Sequence, residues 1–153
     1  MFWGGMRFLL LLFLALQTTP PAAQPDPFAA LRDQWVKDLH AKHIDDSLAQ
    51  YASDADFISD NGRTHGLPAL RQLFTTITTT FDSDLTFTSQ RVEISSELAY
   101  DSGTYKETLL NRATGKTQNM AGDYLTVYRR TKAANGNAVW LIAEQVWTGG
   151  EVK

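Results

Sequence analysis

Asp60 and His65 flank an Asn61-Gly62 turn in the run SDNGRTH, and their types could do chemistry. A carboxylate and an imidazole within reach of each other can act as a base and its partner. The same residues also suit an ordinary surface turn, where Asp and Asn favour the geometry and the histidine is solvated. Asp123 is a third candidate base. His40, His43 and Asp45 invite a metal reading, because two histidines three apart can share a helix face and a carboxylate lies nearby. Polar residues are equally ordinary where one helix ends and the next begins, so no metal is expected. Asp54, Asp56 and Asp60 do not follow a calcium-loop spacing. The chain has no cysteine, which excludes thiol nucleophiles and thiolate metal sites. It also lacks a Gly-rich phosphate loop and a Gly-x-Ser-x-Gly elbow, and no cofactor is expected.

The aromatic residues are the other chemical signal. Trp35, Tyr51, Phe57, Tyr105, Tyr124, Tyr128, Trp140 and Trp147 are many for a small domain. Most such residues serve as core. Alternation divides the last strand into Trp140, Ile142, Glu144, Val146 and Leu141, Ala143, Gln145, Trp147. The second set is expected to face the interior, since the first would bury Glu144 without a partner. An amide beside an indole suits an apolar ligand with one polar group.

These residues need elements to hold them. The 153-residue chain fits one domain. Residues 1–23 read as a secretory signal: Arg7 precedes an apolar run from Phe8 to Leu16, followed by Pro20-Pro21-Ala22-Ala23. That run is shorter than the roughly 20 residues a membrane span requires. The product is expected to be exported, to the periplasm or the medium, with no stable span after cleavage. Loss of Arg7 takes the formal charge from −3 to −4. With no basic run beyond Arg129-Arg130, nucleic acid is not an expected partner.

Residues 24–27 form a short linker, 28–148 the domain and 149–153 a tail. Asp26 and Pro27 suit a helix start. Leu31, Trp35 and Leu39, with Phe28 and Val36, then make one apolar helical face. A second helix is expected from Asp45-Asp46, with Ile44, Leu48 and Tyr51 on its inner side and Asp54 to Asp56 closing it. Phe57–Ser59 reads as a short strand ended by the Asp60-Asn61-Gly62 turn. A third helix runs from Leu67 to Phe81, with fraying expected along Thr75–Thr80, because β-branched residues lose rotamer freedom in helices. Strands follow over Leu85–Phe87 with Val92–Ile94, Leu98–Leu110, Met120–Arg130 and Val139–Thr148. Helices first and an antiparallel meander later indicate an α+β fold.

Four patterns carry a resemblance: LAQYASDADFISDNG (48–62), HGLPALRQLF (65–74), LAYDSGTYKETL (98–109) and GDYLTVYRR with AVWLIAEQVW (122–130, 138–147). In order and spacing the chain resembles the SnoaL-like, DUF4440 branch of the nuclear-transport-factor-2-like (NTF2-like) superfamily over residues 28–148. The resemblance implies a conical barrel with the N-terminal helices packed on a curved antiparallel meander sheet. Members include isomerases, polyketide cyclases, dehydratases, ligand binders and assembly domains, so it implies a pocket rather than an activity.

Ketosteroid isomerases in this superfamily use a tyrosine, an aspartate base and a protonated aspartic acid facing one pocket. Their tyrosine falls at Trp35, their base at Ser59 beside Asp60, and their second acid near Leu125, with Asp123 the nearest carboxylate. All three catalytic identities are missing at the matched positions. The expected function is therefore an exported domain binding a small apolar molecule, with Trp35, Tyr51, Phe57, Ser59, Leu125, Gln145 and Trp147 at the ligand. The alternatives are an acid–base enzyme of isomerase, cyclase or dehydratase type, with Asp60, His65 or Asp123 as base, and a homodimeric assembly domain. A homodimer is the expected oligomer.

Overall fold

The computed structural model describes residues 26–152; the expected leader, 1–23, lies outside the described residues, as do residues 24 and 25 of the linker and the last residue of the tail. The elements are α1 (Ala29–His40), α2 (Ile44–Leu48), β1 (Tyr51–Ser59), β2 (Gly62–His65), α3 (Leu67–Thr80), β3 (Phe81–Ile94), β4 (Leu98–Asn111), β5 (Thr117–Lys132) and β6 (Ala138–Glu151). Six strands form one sheet in the order β2-β1-β6-β5-β4-β3. Strands β3 to β6 are the expected antiparallel meander. The sheet as a whole is mixed, because β1 lies parallel to β6. A parallel neighbour needs a long crossover, and the whole stretch from β2 to β5 supplies it.

Two local expectations give way to tertiary context. The second helix ends at Leu48, and Tyr51 already belongs to β1, so Tyr51 to Asp56 is strand rather than helix. Along it Tyr51, Ala52, Ala55 and Phe57 are buried between neighbouring strands and helices, a reward no isolated turn of helix could match. The third helix does not fray at its threonines. It continues to Thr80, and the hydroxyls of Thr76, Thr78, Thr79 and Thr80 donate to the carbonyls of Gln72, Phe74, Thr75 and Thr76 at 2.6–2.8 Å. Burial of Leu70 and Phe74 holds the inner face and outweighs the weak propensity.

The core lies between the helices and one face of the sheet. Phe28 stacks on Tyr128 with centroids 4.0 Å apart, and Trp35 packs edge-on against Phe74 and Trp147. A second lock is polar. Asp101, fully buried on β4, accepts hydrogen bonds from Arg32 of α1, from Tyr124 Oη at 2.9 Å and from Ser89 Oγ at 2.5 Å. Arg32 also donates to Asp26 at 2.6 Å. Burial opposes the Arg32 charge, but Asp26 and Asp101 more than offset it and hold the guanidinium above its ordinary pKa. This network fixes α1, and with it Trp35, against the sheet.

A β-bulge changes the face that β6 presents. Val127 pairs with Glu144 and Tyr128 with Ile142, so Ala143 is an extra residue. On the C-terminal side Gln145 and Trp147 face inward, as alternation from the second set required. On the N-terminal side the parity reverses: Ile142 is buried in the core and Trp140 meets the Phe28 ring. Strict alternation misassigned that half, because one inserted residue exchanges the two faces.

Candidate functional site

The helices and the sheet leave a partly open cavity of about 300 Å³. Helix α1 contributes Trp35, Val36 and Leu39, and α3 contributes Leu73, Phe74 and Ile77. These are the inward positions of two amphipathic helices, placed by their 3.6-residue period. Strands supply Phe57 and Ser59 from β1, Leu85 from β3, Tyr105, Glu107 and Leu109 from β4, and Trp147 from β6. Tyr105, Glu107 and Leu109 share one face of β4 by the two-residue strand period. Trp147 lies 4.8 Å from the Tyr105 ring and 5.6 Å from Phe57 by centroids. Asp60, Asp82, Arg112, Lys42 and His40 also line the cavity. Arg112 is ion-paired with Asp82, and His40 Nδ1 lies 3.1 Å from the Ser83 carbonyl.

Of the residues expected at a ligand, the cavity brings together Trp35, Phe57, Ser59 and Trp147, with Asp60 among its lining. Trp35 is both wall and core, 3% exposed. The buried indole N–H groups of Trp35 and Trp147 have no hydrogen-bond partner. Tyr51 and Gln145 sit deeper. The Tyr51 hydroxyl donates to the side-chain Oε1 of Gln145, so both are occupied within the core, and burial holds the Tyr51 pKa well up. Leu125 lies elsewhere, since its neighbours Tyr124 and Thr126 take the inward positions and it points to the opposite face.

Asp60 and His65 are not partners. His65 is exposed on β2, and its Nδ1 lies 2.8 Å from Asp56, which also accepts from Arg63 at 2.7 Å. Asp123 is exposed and outside the cavity lining. The His40, His43 and Asp45 set does not assemble either. Asp45 pairs with Arg71, while His43 and Asp46 approach Asp38, all three ligand atoms lying within 4.8 Å of one another.

The acidic group that sequence reasoning missed is Glu107. Its carboxylate accepts from Ser83 Oγ at 2.6 Å. Burial pushes its pKa above the ordinary 4.5, and the Ser83 hydrogen bond opposes that only in part. Burial likewise raises the Tyr105 pKa, helped by the charges of Glu107 and Asp60. The available signal was the shared face: once Tyr105 is taken as inward, Glu107 two residues on must follow it.

A raised carboxyl pKa has a definite sign for stability. Glu107 favours the folded state fully below its unfolded pKa, and that contribution is lost as pH rises through the folded value. Glu107→Gln is therefore expected to melt higher than the parent at neutral pH, with the difference shrinking as pH falls toward about 4.5. Thermal melts of both proteins across that range measure it. A pH-independent difference would contradict the burial cause.

No protein-family model matches the sequence, and no curated protein matches it. Solved structures do match. A ketosteroid isomerase-like protein from Erwinia carotovora atroseptica superposes with a TM-score of 0.66 at 20% identity, over 78% of this chain and 91% of that one. An NTF2-like superfamily protein from Salmonella enterica gives 0.67 at 19% identity, over 80% and 87%. The hexachlorocyclohexane dehydrochlorinase LinA-type3 from Novosphingobium barchaimii gives 0.63 at 16% identity, over 80% and 82%. The chain thus has the NTF2-like α+β fold, with an aromatic-walled cavity between helices and sheet. That fold is shared by proteins named as isomerase-like and by a dehydrochlorinase. No helix among the described residues is long and apolar enough to cross a membrane.

Proposed function

We propose that this chain is an exported small-molecule-binding domain of the SnoaL-like, DUF4440 type, working as a homodimer. The observation that carries the binding reading is the open cavity of about 300 Å³ walled by Trp35, Phe57, Phe74, Tyr105 and Trp147. Ligand sites of this kind are concave and mainly apolar, with a few polar groups that fix orientation. The dimer reading draws on the other sheet face. Ile58 pairs with Val146 and Val146 with Leu125, giving an apolar row across three strands. The leader read from residues 1–23 supports export.

Native mass spectrometry of the protein purified from its own exported fraction tests this reading. A bound small molecule of defined mass on a dimer is the expected result. An empty dimer whose cavity rejects apolar probes would overturn the binding reading in favour of assembly alone.

One observation favours a second reading, an acid–base enzyme on a small apolar substrate. Glu107 is a carboxylate in the cavity with a displaced pKa, the usual mark of a proton-transfer group. Tyr105, two residues away on the same face, adds a hydroxyl that could hold a substrate oxygen. Turnover that follows the ionisation of Glu107 and is lost in Glu107→Gln would replace the first reading by this one.

A further inference from the structure

The cavity has walls that recognise more than apolar bulk. Glu107 Oε1 is satisfied by Ser83, whereas Oε2 has no protein donor among the described residues. Among the described residues no cation is ion-paired with Glu107. Arg112 is engaged by Asp82, and burial, opposed in part by the Ser83 hydrogen bond, raises the Glu107 pKa. On the lining as a whole the carboxylates Asp60, Asp82 and Glu107 outnumber the permanent cations Lys42 and Arg112 by one. A partly buried carboxylate without a counter-charge is costly, and an incoming cation relieves that cost. The rings beside it attract cations through their π faces. Tyr105 shares the Glu107 face of β4 and packs against Trp147, which in turn meets Phe57.

From this juxtaposition we infer that the cavity takes a protonated amine on an apolar body, its ammonium group bound to Glu107 and its body against Tyr105, Trp147 and Phe57. The inference rests on the proposed binding reading and names the ligand class for the same site. A neutral ligand accepting a hydrogen bond from protonated Glu107 is the competing chemistry, and it has the opposite pH dependence. An ammonium group binds ionised Glu107, so its affinity climbs as pH rises past the Glu107 titration. A neutral acceptor binds the protonated form and loses affinity over the same interval.

The test compares 4-phenylbutylamine with 4-phenylbutan-1-ol, which present the same apolar body with and without a cation. Dissociation constants are read by calorimetry and by quenching of the cavity tryptophans. At about pH 7 the amine is expected to bind about tenfold more tightly than the alcohol. That preference should shrink as pH falls toward 4.5 and drop to about twofold or less in Glu107→Gln. Equal affinities in the parent protein, or a preference that survives Glu107→Gln, would overturn the amine inference and leave the pocket standing. An alcohol whose binding strengthens as pH falls would assign the neutral-carboxyl chemistry instead. Failure of both probes to bind the folded protein would overturn the binding reading itself, and this inference with it.

Discussion

Replacing Asp101 by alanine is expected to destabilise the fold by about 3–5 kcal/mol, the usual loss when one partner of a buried ion pair is removed. Asp101 is 0% exposed and accepts from Arg32, Tyr124 and Ser89. Without it the Arg32 side chain, only 12% exposed, keeps Asp26 alone, and two hydroxyls lose their acceptor. Each unsatisfied buried polar group adds about 1–3 kcal/mol, so relaxation must absorb part of the sum. Urea unfolding of the variant measures the loss. A change below about 1 kcal/mol would mean that water replaces the carboxylate and that the network is peripheral. Asp101→Asn keeps an acceptor but not the charge, and its loss should be smaller. Because Arg32 lies one turn before Trp35 on α1, the alanine variant should also loosen the cavity wall and weaken probe binding beyond the stability loss.

Gly103→Ala is expected to destabilise the sheet by about 3 kcal/mol, the upper part of the range for overpacking. An added Cβ at Gly103 would sit 2.0 Å from the Thr88 carbonyl oxygen and 3.0 Å from Ser89 Cα. Both are backbone atoms and cannot swing aside. The position faces the irregularity in β3, where the pairing shifts between Ser89 and Arg91. The sign is diagnostic, because alanine normally stabilises a strand over glycine by roughly 0.5–1 kcal/mol through lower chain entropy. Gly150→Ala is the control, since nothing lies within 4 Å of its added methyl. Equal stabilities for the two variants in denaturant titrations would show that β3 can move away, and that the close approach is not built in.

Both residues lie on the inward face of β4, which also carries Tyr105 and Glu107, and the sequence made that strand visible without its chemistry. Leu98 to Leu110 was legible as a strand, and the observed bounds, Leu98–Asn111, differ by one residue. Asp101 and Glu107 looked like ordinary polar residues in it. What makes them special is that Arg32 arrives from 69 residues away and Ser83 from 24. A one-dimensional pattern does not contain those meetings.

What the chain determined by itself was local. Periodicity placed Trp35 and Leu39 on one face of a helix, and Leu70 and Phe74 on one face of another. Turn chemistry set the hairpin at Asp60-Asn61, where Gly62 accepts a φ of +109°. The order of elements then dictated an α+β fold, because each amphipathic face must be buried against another. Tertiary structure decided the rest. It drew Tyr51 into a strand beside β6, since a sheet edge pairs its backbone with a partner that propensity cannot see. It reversed half of β6 through the extra residue at Ala143, since strand parity is a long-range register property. It left Leu125 and Asp123 away from the cavity and put Glu107 on its wall. A cavity is the space several elements fail to fill, so its lining exists only after they have packed.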